Sequence, residues 1–116
     1  MKSKKLIYVE IDGTICDTPF QNNMDESSQY SKATPYYARI DVINNLYNKG
    51  HIITYWTARG CVSGDDFTEL TRNQLEEWGC KYHHLEVGNK PHFDMYICDK
   101  SFNSESFYHY KESGFP

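Results

Sequence analysis

Long apolar runs are missing from these 116 residues. The longest cover only a few positions, far short of the about 20 that a membrane-crossing helix takes. None follows the basic start MKSKK at the length of a leader's apolar segment, so no signal peptide and no membrane partner are expected. Close cysteine pairs are missing too. Cys16, Cys61, Cys80 and Cys98 stand far apart with no C-x-x-C, and nothing points to secretion, which predicts reduced thiols in a cytoplasmic protein. His83 and His84 are adjacent while His51, His92 and His109 are scattered, and no zinc-ligand spacing emerges. Positive charge is not in excess. Twelve Lys and Arg against sixteen Asp and Glu give a net charge of −4, which argues against nucleic acid as a partner. With no repeat and no break in composition, residues 1–116 are expected to be one domain with a single modest core.

What is present is organised around residues 6–14. Leu6, Ile7, Tyr8 and Val9 form a short apolar run that is β-prone and too short for a buried helix, which predicts a core strand. It ends in two carboxylates, Glu10 and Asp12, and Gly13-Thr14 then turns the chain. Acids at the C-terminal end of a buried strand suit a metal and a reaction, because open α/β sheets bind ligands at that edge.

Residues 17–34 are polar, without a clear period, and fit a loop or a short irregular hairpin. Thr34-Pro35 predicts a helix start, with Thr as N-cap and Pro at the first helical position. Tyr36, Ile40, Ile43 and Tyr47, with Leu46 beside them, mark its buried face, and Gly50 its end. Residues 51–56, HIITYW, predict the second strand, which ends at Thr57 with Ala58, Arg59 and Gly60 following. Ser63 and Asp66 have the spacing of a weak capping box for a helix running to Trp78, with Phe67, Leu70, Leu75 and Trp78 on one face. Residues 81–87 predict a third strand. Residues 94–98, DMYIC, predict a fourth, ending at Asp99. Strands alternating with helices predict a parallel three-layer α/β/α sheet.

Four expected strand ends therefore carry reactive groups: Glu10 and Asp12, Thr57, Asp99, and Lys90 ahead of the fourth strand. This set suits phosphoryl transfer, in which carboxylates hold Mg²⁺, a hydroxyl and an ammonium neutralise phosphate oxygens, and an acid protonates the leaving group. Arg59, two residues past Thr57, is placed either to contact substrate or to bond loop carbonyls at the surface.

The pattern resembles the haloacid dehalogenase (HAD) superfamily. Its first motif is four apolar residues and then D-x-D-G-T, matched by Asp12, Gly13 and Thr14, with Glu10 in place of the first Asp. The second motif, an apolar strand ending in Thr or Ser, is matched by HIITYWT and Thr57. The third, a Lys often followed by Pro, is matched by Lys90-Pro91. The fourth, a strand ending in acids, is matched by Tyr96, Ile97, Cys98 and Asp99, with Cys98 where relatives carry a first acid. The run ATP…GHIITYWTARG…GNKPHFDMYICDK looks like the small capless phosphatases found near capsule and surface-polysaccharide sugar genes.

The resemblance implies a Rossmann-like core with strand order 3-2-1-4, no large cap domain, and a Mg²⁺-dependent phosphatase of a small phosphorylated metabolite such as a sugar phosphate. It implies Glu10 as nucleophile, Asp12 as acid/base, and Thr57 and Lys90 on the phosphate. Gly13, Thr14, Ala58 and Arg59 would lie against substrate, and Glu10, Asp12 and Asp99 around the metal. Residues 17–34 would carry a small flap, with Met24 and Tyr30 as its contacts, and a homo-oligomer would close the capless site. Two other readings stand beside this one. A Glu at position 10 displaces the carboxylate by about 1 Å or more, and a thiol is a poor Mg²⁺ ligand. Both changes fit a HAD-like protein that binds a ligand or partner without turnover, or one whose longer Glu10 serves different chemistry.

Overall fold

The structure, a computed structural model, describes residues 3–109, with the side chain of His109 excepted. The element order is β1 (Leu6–Val9), β2 (Cys16–Asp17), α1 (Glu26–Ser31), β3 (Thr34–Pro35), α2 (Tyr37–Asn48), β4 (Ile52–Thr57), α3 (Thr68–Glu77), β5 (His84–Val87) and α4 (Ser104–His109). β1, β4 and β5 form a parallel sheet in the order β1-β4-β5. Leu6 pairs with Ile52 and Val9 with Tyr55, while Thr54 pairs with His84 and Thr57 with Val87. Two histidines lengthen the ladder as acceptors. His51 Nδ1 takes the Lys5 N–H at 3.1 Å, and His83 Nδ1 takes the Ile53 N–H at 3.1 Å.

Strand period places Ile7, Val9, Ile53, Tyr55 and Leu85 on one face of the sheet. Ile40, Ile43 and Leu46 of α2, Leu75 of α3 and the adjoining Trp78 pack there into a single core. Both crossovers, β1-α2-β4 and β4-α3-β5, step the same way along the sheet, so their right-handedness puts both helices on that face. α4 joins them beside α2, where Arg39 pairs with Glu105 and lies 4.9 Å from the Tyr108 ring. Leu6 and Tyr8 point to the opposite face and are 76% and 57% exposed. Among the described residues the fold is therefore a parallel α/β sheet with helices on one side, where three layers were expected.

The expected fourth strand does not form. Residues 94–98 are irregular, and Met95, Tyr96 and Ile97 are exposed at 77%, 59% and 89%. The relative order of the first three strands is as expected, but β1 is an edge strand instead of a central one. The connection explains this. Only residues 88–93 separate β5 from the expected strand, whereas a parallel crossover ordinarily takes a dozen residues or more.

Two helix starts also move. Thr34-Pro35 pairs with Cys16-Asp17 as a short antiparallel ribbon, so α2 begins at Tyr37 with no side-chain cap. Asp66 Oδ1 does accept the Thr68 N–H at 2.9 Å, but Ser63 bonds only within its own loop, to the Asp65 N–H. α3 accordingly begins at Thr68.

Candidate functional site

The C-terminal edge of β1 and β4 carries the chemistry. After Val9 the chain passes Glu10, Ile11 and Asp12 and then reverses. Gly13 supplies φ +80°, a conformation costly for other residues. Thr14 N–H and Ile15 N–H return to the Ile11 carbonyl at 3.0 and 2.9 Å. The turn buries Ile11 and Ile15 and leaves the two acids on its rim. Gly13 and Thr14, expected to touch substrate, build this turn and do not line the cavity beside it.

That cavity holds about 130 Å³ and is lined by Glu10, Asp12, Thr57, Ala58, Arg59 and Lys90, with Phe20, Tyr30 and Trp56 as aromatic walls. Six of the expected site residues are thus brought together from three separate stretches. Their charges are already matched. The Lys90 ammonium forms an ion pair with Glu10 Oε1 and sits 4.2 Å from the centre of the Phe93 ring. Arg59 grips Asp12 with both arms of its fork, Nε to Oδ2 at 3.0 Å and Nη2 to Oδ1 at 2.8 Å. Thr18 Oγ1 donates to Asp12 Oδ1 as well. Thr57 Oγ1 accepts the Arg59 backbone N–H at 3.2 Å, which leaves its own proton available as a donor.

Arg59 is not at the surface. Its side chain is 0% exposed, among the most buried in the molecule. Nη1 donates to Thr71 Oγ1 at 3.1 Å and to Gln74 Oε1 at 2.6 Å, both on α3. The Tyr30 ring covers the guanidinium at 4.7 Å. Burial, and then the Asp12 charge, push the Tyr30 hydroxyl up to about 12. Gly60 makes the loop possible, since a Cβ built there would lie 2.1 Å from the Asp65 carbonyl oxygen, with φ at +86°. Gly60→Ala is expected to cost about 2 kcal/mol or more in urea unfolding, because the backbone itself must move. A loss below 0.5 kcal/mol would show that the loop adjusts freely.

The expected metal site is not assembled. Among the described residues no three His, Cys, Asp or Glu side chains converge to hold a metal ion. Mg²⁺ needs several oxygens in a tight octahedron. Glu10 is paired to Lys90 and both Asp12 oxygens are held by Arg59, while Asp99 is exposed in the irregular stretch after Cys98. The residues as arranged do not fit that ion. With no fourth strand to carry it, Asp99 does not join the two acids of the first motif.

Residues 17–34 form an arm whose base is the β2–β3 ribbon and which carries α1, capped by Asp25 Oδ1 on the Ser28 N–H at 2.8 Å. Tyr30 reaches the site. Met24 does not, and lines a shallow surface depression with Asp25 and Lys32. Sequence reasoning missed Thr18, Phe20, Trp56, Thr71 and Gln74. Thr71 had a signal: it lies midway between Phe67 and Leu75 on the buried face of α3, a polar side chain where an apolar one is expected.

The four cysteines are free thiols, with distinct environments. Burial pushes Cys16 up to about 11, and Cys80 up to about 12. Cys98 is lowered, first by the Tyr96 hydroxyl that donates to it and then by the Lys100 N–H at 3.3 Å. The thiolate is the reactive form, and at pH 8 a thiol titrating near 11 holds about one thiolate in a thousand. Ellman's reagent at pH 8 is expected to modify Cys98 well before Cys16 or Cys80, which should stay silent until unfolding. In the unfolded chain these two thiols ionise near 9, whereas the folded protein keeps their protons. Stability is therefore fully present below pH 9 and is lost as pH rises toward 11. Equal rates for Cys16 and Cys98 would contradict this arrangement.

No family model matches the chain, and no curated protein is similar to it in sequence. By structure it is similar to a target from Vibrio cholerae known from a crystal structure. The TM-score is 0.72 at 22% identity, over 90% of this chain and 87% of that one. The likeness extends over nearly the whole of both chains and supports the α/β fold. Among the described residues no helix is long and apolar enough to cross a membrane.

Proposed function

We propose that this protein is a small HAD-like phosphatase acting on a phosphorylated metabolite of low molecular weight, such as a sugar phosphate. The observation that carries the reading is the convergence of Glu10, Asp12, Thr57 and Lys90 on one small cavity at the C-terminal edge of a parallel sheet. In the chemistry the resemblance implies, a Glu10 carboxylate oxygen attacks phosphorus, the ester oxygen leaves with a proton from Asp12, and a glutamyl phosphate forms. Water, deprotonated by Asp12, then attacks that phosphorus and releases inorganic phosphate with Glu10 restored. Thr57 and Lys90 balance charge on the phosphoryl oxygens.

The test is phosphate release from a panel of sugar phosphates, nucleotides and an aryl phosphate, with and without Mg²⁺, which the resemblance implies as cofactor. Turnover that vanishes in Lys90→Met supports the reading, and background rates throughout refute it. Among the described residues the sheet face at Leu6 and Tyr8 is exposed and β1 has a strand neighbour on one edge alone, which supports a homo-oligomer. Sedimentation showing only monomer at micromolar concentration would count against that part.

A second reading rests on a separate observation. Both Asp12 oxygens are engaged by Arg59, and Oδ1 by Thr18 as well, so the second lone pair of Oδ2 is the place left for a proton. This favours a HAD-like protein that binds a phosphorylated ligand without turnover. Tight binding of a sugar phosphate with no hydrolysis would select it.

A further inference from the structure

The resemblance implies that Arg59 touches substrate, and its surroundings point to a different use. Its side chain has no exposed surface, and four of its five N–H donors are engaged by Asp12, Thr71 and Gln74 at 2.6–3.1 Å. A guanidinium presents its donors in a rigid planar fork. Turning it toward a phosphate would break the bidentate grip on Asp12 and leave both charges without their partner. Lys90, by contrast, is a single flexible ammonium already on the cavity wall. Gln74 does two jobs. Its Oε1 accepts from Arg59 Nη1, and its Nε2 donates to the Tyr30 carbonyl of α1 at 2.6 Å. Four side chains from four stretches thus form one chain of contacts: Tyr30 on α1, Gln74 on α3, Arg59 after β4, and Asp12 after β1.

We propose that Arg59 is a positioning residue that fixes the orientation of the Asp12 carboxylate, and that Gln74 ties this geometry to helix α1. Arg59 is then the strut of the site and Lys90 its phosphate contact. The role at the reaction rests on the phosphatase reading above; the strut itself does not.

The deciding variants are Arg59→Lys, which keeps the charge but loses the fork, and Gln74→Met, which keeps length but loses both bonds and removes no charge. With an aryl phosphate, both are expected to lower kcat about 10-fold, the scale of a small misplacement. KM and the inhibition constant of inorganic phosphate should stay within about two-fold of wild type, because neither side chain touches phosphate. Lys90→Met should instead weaken inorganic phosphate at least 5-fold. A fall in phosphate affinity in Arg59→Lys as large as in Lys90→Met, with kcat retained, would make Arg59 a ligand and overturn the proposal.

Wild type with neither turnover nor phosphate binding would refute the phosphatase reading. The strut is then decided by NMR. The Arg59 Nε–H should give a resolved, slowly exchanging proton signal in wild type. Exchange should quicken at least 10-fold in Asp12→Asn and measurably in Gln74→Met. An Arg59 Nε–H that exchanges like that of a free arginine, or that ignores Asp12→Asn, overturns the proposal whatever the activity.

Discussion

Asp12→Ala is expected to destabilise the protein by about 3 kcal/mol or more, a large share of the 5–15 kcal/mol that holds a domain folded. The reason is Arg59. Its guanidinium is buried, and among the described residues Asp12 is its one carboxylate partner. Removing Asp12 leaves a buried charge with only the Thr71 and Gln74 oxygens and the Tyr30 ring. Asp12→Asn should cost less, since one carbonyl oxygen can still accept from the fork. Replacing both partners with apolar residues of similar volume, Asp12→Leu with Arg59→Met, should recover much of the loss, because no charge is then stranded. Urea unfolding of the two single variants and the double variant measures this directly. A loss under 1 kcal/mol in Asp12→Ala would mean that water reaches Arg59 freely. One practical consequence is that Asp12 is a poor place for an inactivating substitution, since loss of activity there would be mixed with loss of fold.

Shortening the carboxylate by Glu10→Asp is expected to raise hydrolysis of an aryl phosphate about 10-fold or more. Glu10 is one methylene longer than the residue that the resemblance implies, and a misplacement of about 1 Å at a reacting atom can cost on the order of 100-fold. The ion pair with Lys90 adds to this: a retracted carboxylate reaches the ammonium less well, which frees Lys90 for phosphate. Glu10→Gln should bring any activity to background, because an amide oxygen is a far weaker nucleophile. The resemblance implies that adding Cys98→Asp to Glu10→Asp would help through a metal. Cys98 and Asp99 lie in a stretch that does not form the strand leading to the site, so the added change should have little effect. If Glu10 serves a different reaction, Glu10→Asp should lower the natural rate instead. Flat, background rates in wild type and Glu10→Asp, with the fold intact by circular dichroism, would sink the phosphatase proposal.

Much of this fold could be read from short apolar patterns. The run Leu6–Val9 and the run ending at Thr57 are strands, as expected. Ile40, Ile43 and Leu46 are buried at the helical spacing that marked them. The run at residues 94–98 was equally apolar and is not a strand. A strand is stabilised by a neighbour, and composition says nothing about whether the connecting chain can deliver it to one. The helix start at Thr34-Pro35 failed for a related reason. Local capping chemistry was sound, but Cys16 and Asp17 competed for the same backbone.

The site divides along the same line. Sequence by itself determined which groups stand at the ends of strands, because periodicity ends where a strand ends and the next residues must turn at that edge. It therefore determined that Glu10, Asp12 and Thr57 share a neighbourhood, whereas Lys90, expected ahead of a strand that does not form, reaches the cavity from the stretch after β5. Only the tertiary structure decided which charge meets which. Arg59 reaches across 47 positions to Asp12 and finds its remaining acceptors on α3, while Lys90 takes Glu10. Ion-pair choice depends on where three loops and one helix face come to lie within 3 Å of one another. No repeat or spacing along the chain encodes such a distance, since the pairing energy arises only when the intervening segments have packed and water has been excluded.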